Sequence, residues 1–525
     1  MRSYYSHLQA TQSVGETIDL KRKPVFRSSA IFPVLHNSQY SSKVIFMGYW
    51  LLKRHIREIG LLYTLRNQPG EVVGRKYLCV NSAKAYSIQL NEFADLIGDD
   101  FTGSLELEIF STQDLIFPYP AFVLVYYSDT FSTAVHTVGR VYNDIEDLRQ
   151  NETYQARESG FDIYGSDTLS PFVGFTNGPI ANDNPTLTYQ VIDQQGKLFD
   201  GTFTLAPLAA FETRFLELKD HLPLHDWLGD AAGTIKLGHN FEGFFPRFTV
   251  GNFDTRTASI SITHSYYDCS PFSDVQSYWN RLDEAFHDAS VLVPLYITDG
   301  RYTRLVVYPT FSPSNFRLTF DFFDNDGHLL NSASDYQLVA SDDNLYQPLD
   351  LGTIAESLQI DPHAATLVSV YANWDDKSRI PTRLKFGLNV GYQNRPAELP
   401  SNVCFAPSLG NPNVLKKGGT FRWAPFVNVG ESEIAFTNGS PLKHYDRPAT
   451  VQLTFHREAD NEVLTRTLFI PANGQRRLAL AEDSELAAFF GGASGWVAAQ
   501  ADNPYVNGFY FDFHANGAVA ADHVF

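Results

Sequence analysis

A hairpin pattern that recurs four times constrains the fold more than any other feature of this chain. It appears as "EIGLLYTLRNQPGEVV" (58–73), "PTLTYQVIDQQGKLF" (185–199), "NFRLTFDFFDNDGHLL" (315–330) and "ATVQLTFHREADNEVL" (449–464). In each, apolar residues alternate with polar ones, break at a polar turn and resume, which is the signature of two antiparallel strands joined by a short loop. Gly70, Gly196 and Gly327 occupy three of the turns, where a positive φ costs glycine little, and Asn461 takes that place in the fourth. The tetrapeptide "FTNG" stands ahead of two of the hairpins, at 175–178 and 436–439.

The remainder of the repeat follows in fixed order. Leucine-punctuated crossing segments come next, for example "YSIQLNEFADLIG" (86–98) and "RRLALAEDSELAAFFGG" (476–492), and two further strands close each copy. The closing strands read "STAVHTVG" (132–139), "ASISITHS" (258–265), "TRLKFGLNVG" (382–391) and "AVAADHVF" (518–525). This alignment makes His136, His264 and His523 equivalent, with Asn389 in the third copy, at intervals of about 130 residues. A residue repeated at the end of a strand in separate copies is expected to hydrogen-bond locally, so the three histidines are not expected to meet.

Six or seven short strands per copy predict an all-β chain of four tandem immunoglobulin-like antiparallel β-sandwich units of about 110–130 residues. The stretch "LTYQVIDQQGKLFDGTFTLAPLAAFETRFLEL" (187–218) carries the resemblance: strand, Asp/Gly turn, strand, Leu-x-Pro corner and a further strand ending in leucines. At this level the units resemble the immunoglobulin-like β-sandwich repeats of bacterial surface and adhesion-type proteins. The expected division is an N-terminal arm (1–40), sandwiches at 41–145, 169–268, 289–394 and 420–525, and polar or Pro/Gly/Asn-rich linkers at 146–168, 269–288 and 395–419.

The net charge of −19 excludes a general phosphate-binding role, because affinity for nucleic acid comes largely from Lys and Arg. No apolar h-region or long apolar run is present, which predicts no membrane insertion and a cytoplasmic chain, or one exported without an N-terminal Sec signal. Three cysteines far apart suggest neither a disulfide framework nor a zinc site, and no cofactor is expected. Phosphate-loop, dinucleotide, HExxH and GxSxG motifs are absent.

The leading expectation is therefore a non-enzymatic structural or interaction protein, with itself, another protein or a glycan as partner. The alternative is a carbohydrate-active or metal-assisted enzyme with its site in the second sandwich, which carries the most unshared polar groups. There, "SITHSYYD" (261–268) offers His264 as base or ligand with Tyr267 and Asp268 as orienters. "HNFEGFFPRFTVGN" (239–252) offers His239, Glu242, Phe245 and Arg247 as the lining of a binding groove. "HLPLHDW" (221–227) holds His221 and His225 four apart, a ligand spacing on a helix that Pro223 disfavours.

Overall fold

The computed structural model describes residues 26–525 apart from 114, 116–121, 137–138, 142–159, 266–277, 280–286, 310–314, 341–345, 375–379, 382–383, 428–430 and 443. The chain is all-β and built of antiparallel sheets, most of them four-stranded. In the first unit the strands are β1 (Phe26–His36), β2 (Ser41–Met47), β3 (Ile59–Asn67), β4 (Val72–Val80), β5 (Ala85–Gln89), β6 (Phe101–Ser111), β7 (Val123–Tyr127) and β8 (Ser132–His136). They form two sheets of order β1-β6-β3-β4 and β5-β2-β7-β8. The same two orders recur three more times, from Phe161–Tyr164 to Ser259–His264, from His287–Pro294 to Val403–Phe405, where Ser408–Gly410 adds a fifth strand beside the first, and from Thr420–Phe426 to Val519–His523.

The four hairpins lie where the alternation puts them, as the third and fourth strands of each unit. Along the third strands the buried residues fall two apart, as with Phe316, Leu318, Phe320 and Phe322, because successive side chains point to opposite faces. Gly70, Gly196, Gly327 and Asn461 all have positive φ, as the turns require.

Several expectations need correction. Residues 26–36, assigned to an arm, are β1, which pairs with β6 along its full length; Pro33 and burial on both faces hid the strand's alternation. Phe161–Tyr164, in the segment read as a linker, opens the second unit, and Val403–Phe405, in the Pro/Gly/Asn-rich stretch, is the eighth strand of the third. Asn389 therefore lies on a seventh strand. The position equivalent to the histidines is Phe405, which pairs with Phe386 as His136 pairs with Val123, His264 with Thr249 and His523 with Phe509.

The strand order also departs from an immunoglobulin domain. The sequences sixth-third-fourth and second-fifth follow F-C-C′ and B-E, but the first strand sits beside the sixth, where that fold has its last strand, and the seventh sits beside the second, where it has its first. The terminal strands have in effect exchanged sheets.

Two junctions between units are built alike, residue for residue. The β3–β4 turn docks on the second unit, where the Thr213 N–H donates to Gln68 O at 2.9 Å and Gly70 packs against Ala210. In the third unit the equivalent turn docks on the fourth, where the Gln475 N–H donates to Asn325 O at 3.1 Å and Gly327 packs against Ala472. The receiving corners are the ones that carry FTNG. Asn177 is buried and donates its amide to Ile180 O and Ala209 O, while Asn438 is buried and donates to Arg447 O, Ile470 O and Pro471 O. The motif is thus a brace for the corner that accepts a neighbour's hairpin.

The second and third units meet differently, around the buried Asp162, which accepts from Asn389 (2.6 Å), Asn402 (2.7 Å) and Tyr346 (3.2 Å). The fourth unit packs back on the first. Tyr49 stacks on Trp423 with centroids 4.9 Å apart, and Asp512 accepts from Ser132 of the first unit and Ser432 of its own. With the first unit on the second, the second on the third, the third on the fourth and the fourth on the first, the molecule closes on itself.

Candidate functional site

The eighth strands of the four units come together at the centre of this closure. β8 touches Ser259–His264 and Val519–His523, and Val403–Phe405 touches both of the latter. Because each strand ends at the same register position, the closure gathers those ends. His136, His264 and His523 converge, with one ring nitrogen of each within 4.8 Å of the others, and among the described residues they form the one group of three or more His, Cys, Asp or Glu side chains placed to share a metal ion. The His136 ring stands edge-on to His264 at 4.7 Å and to His523 at 4.6 Å between centroids. His264 and His523 make the local hydrogen bond expected of a strand end, each to the carbonyl of the next residue, whereas His136 bonds across units to Asp522; each also faces the other two, because the closure of the units brings their strand ends to one place.

The hydrogen bonds orient the rings. His136 Nδ1 lies 2.8 Å from Asp522 Oδ2, His523 Nδ1 lies 2.9 Å from Val524 O, and His264 Nδ1 lies 3.0 Å from Ser265 O. Donation from each Nδ1–H leaves the Nε2 lone pair as the free nitrogen of that ring. Arg247 Nη2 also lies 2.8 Å from His264 Nδ1, a contact that favours the opposite tautomer of that ring.

Electrostatics keep two of the rings neutral. Burial, then the charges of Arg247 and His136, push the His264 pKa well below its ordinary value. Burial and His136 lower that of His523 to about 4. Burial would raise the Asp522 carboxyl, but the charge and hydrogen bond of His136, with His523, outweigh it and hold the group below the usual carboxylate range. His264 is buried, whereas the His523 side chain keeps 32% of its surface, so the cluster is open on that side. Phe525 lies beside it, 5.0 Å from His136 and 5.8 Å from His523.

The other candidates are placed apart. Tyr267 and Asp268 lie outside the described residues. His239 accepts from the Phe241 N–H at 3.1 Å and stacks on that ring, and Glu242 is exposed. Phe245 sits in a two-residue strand paired with Arg140–Val141, beneath the Arg140 guanidinium, and Arg247 reaches His264. "FFPRF" therefore seams the second unit to the first, with Phe244 and Phe248 in the core. His221 stacks on Phe203, while His225 turns to Gly165 O at 3.3 Å.

A cavity of about 250 Å³ lies between the third and fourth units, lined by Arg301, Glu433 and Arg477 among others. Its central charges pair with each other: Glu433 accepts from Arg477 Nε at 2.6 Å and from the Tyr296 hydroxyl.

Sequence reading named His264 and aligned it with His136 and His523, but passed over Asp522, which binds the first of them. The "DH" of "AVAADHVF" was the available signal. No family model matches the chain, and no curated protein matches it either.

Proposed function

We propose that this chain is a structural, self-assembling protein that joins copies of itself through the fourth strand of its units. One observation carries the reading. In all four units the fourth strand ends its sheet, and it is there that most of the large apolar side chains left in solvent are found: Val72 and Tyr77 in β4, Leu198 in the second unit, Leu329, Tyr336 and Leu338 in the third, and Val463 and Phe469 in the fourth. An edge strand presents unpaired backbone N–H and C=O groups, and proteins ordinarily blunt such edges with charge or proline. Here they carry exposed Tyr, Leu and Phe alongside a few charges.

A second strand added to such an edge gains a ladder of main-chain hydrogen bonds and pockets for alternate side chains. The charges favour a second copy as the source of that strand: β4 exposes Arg75 and Lys76, and the third unit's fourth strand exposes Asp335. Pairing one copy's first unit with another's third is a heterologous contact, which extends into chains or closes into rings. A glycan groove along "FFPRF" is disfavoured, since Phe245 and Arg247 are engaged with Arg140 and His264.

The test is light scattering over a hundredfold concentration range on the native chain and on Tyr77→Lys/Leu338→Lys. Growth beyond 59.0 kDa in the native protein, reduced at least tenfold in association constant by the two lysines, is the expected result. A native mass that stays at 59.0 kDa throughout rejects self-assembly.

A further inference from the structure

We infer that His136, His264 and His523 bind one divalent transition-metal ion of the zinc class through their Nε2 atoms, clamping the first, second and fourth units together. The donor set selects the ion. Three imidazoles, with no carboxylate or thiolate among the described residues completing the group, suit Zn²⁺, Cu²⁺ or Ni²⁺, and disfavour Ca²⁺ and Mg²⁺, which take oxygen ligands.

The surroundings are those of a ligand set. Metal-bound histidines hand their other ring proton to a carboxylate or a backbone carbonyl, which fixes tautomer and orientation. His136 hands its proton to Asp522 and His523 to Val524 O, so both kinds of partner are present, and His264 Nδ1 has Ser265 O within reach beside Arg247. In a tetrahedral site, metal–nitrogen bonds of about 2.0–2.1 Å place ligand nitrogens roughly 3.3 Å apart. The separations here reach 4.8 Å at most, a gap that small rotations of three side chains close.

Three ligands leave a fourth position. In the third unit the equivalent residue is Phe405, which cannot ligate, so among the described residues no fourth ligand is placed and that position is open to water or a small anion. Entry is from the side of His523, the most exposed of the three rings. Arg247 opposes the ion: the His264 tautomer that ligates is the one in which Nδ1–H donates to Ser265, and the guanidinium must then release that nitrogen.

Isothermal titration of chelator-treated protein with Zn²⁺ tests the site, with the visible spectrum of the Co²⁺-loaded chain reporting its ligand field. Expected are one ion per chain, the intense bands of four-coordinate Co²⁺, and a rise in melting temperature with Zn²⁺. His523→Ala, at the exposed ring, weakens binding at least tenfold with an unchanged circular dichroism spectrum, and His221→Ala leaves it unchanged. Asp522→Asn weakens it about tenfold or more through His136. A native chain that takes up no stoichiometric Zn²⁺, or a His523→Ala variant that binds as the native chain does, overturns the inference.

Discussion

Asp162 shows how one buried side chain sets a pH dependence. Its carboxyl is fully enclosed, and burial raises its pKa to about 6 although Asn389, Tyr308 and Tyr346 hydrogen-bond to the charged form. An unfolded aspartate ionises near 3.9, so between about pH 4 and pH 6 the folded chain holds a proton that the unfolded chain has lost. Its contribution to stability accordingly falls as pH rises through that window and is flat above it. In Asp162→Asn the amide oxygen can accept from Asn389 and Asn402 while the NH₂ faces the Tyr346 hydroxyl, so the packing is kept. Denaturant unfolding from pH 4 to pH 7 should show the variant gaining on the native protein by up to about 3 kcal/mol, nearly all of it below about pH 6.5. Parallel curves would show that Asp162 is ionised throughout. At this scale much of the site was readable: three histidines stood in equivalent positions, and one was singled out. Their meeting was not readable, because local pattern fixes where a side chain sits on its strand and says nothing of how separate units pack. Asn389 was misaligned for a related reason. The third unit's eighth strand, Val403–Phe405, is three residues long and lies in a stretch whose prolines and glycines read as linker.

At the scale of elements, the hairpin turn is a docking device as well as a reversal of the chain. Gly70 has φ +96° and a Cβ there would lie 2.3 Å from Ala210 O; Gly327 has φ +82° and a Cβ would lie 2.0 Å from Ala472 O. Each position thus needs glycine twice over, for its backbone and for the neighbour's carbonyl. Gly70→Ala and Gly327→Ala should each cost about 2–4 kcal/mol, from left-handed strain and from the forced separation of the units. Gly98→Ala, with nothing within 4 Å of the added Cβ, should fall within about 0.5 kcal/mol of the native chain. Chemical denaturation of the three variants checks this, and equal losses at Gly70 and Gly98 would remove the docking role. The hairpins and their turn residues were legible because period-2 alternation and a glycine turn are local signals. β1 was not, since a strand buried on both faces loses its alternation, and Phe26–His36 carries a proline as well. FTNG was visible as a repeat without a purpose, its amide partners lying up to 33 residues away in sequence.

For the whole molecule, the question is how many pieces it melts in. One apolar core runs from the first unit into the fourth, taking in Phe32, Trp50, Trp496 and Val524, and a second joins the third unit to Phe509, Phe511 and Phe513 of the fourth. The second unit has a core of its own, and also lends Phe172, Ile260 and Ile262 to the first core and Ile192 and Leu169 to smaller clusters with the third and fourth units. Scanning calorimetry should therefore resolve at most two transitions, one for the three units that share cores and one for the second, where independent sandwiches would give four. A four-step melt would refute the closed arrangement. Among the described residues no helix is long and apolar enough to cross a membrane. The matched junctions carry a further meaning, about descent. First unit on second and third on fourth share a main-chain hydrogen bond and a glycine contact in the same register, down to a left-handed residue, Phe211 in one and Asn473 in the other, beside the carbonyl that meets the glycine. A join repeated in this register is the trace that duplication of an already joined pair would leave, with the contacts around Asp162 and between the fourth and first units tying the two pairs together.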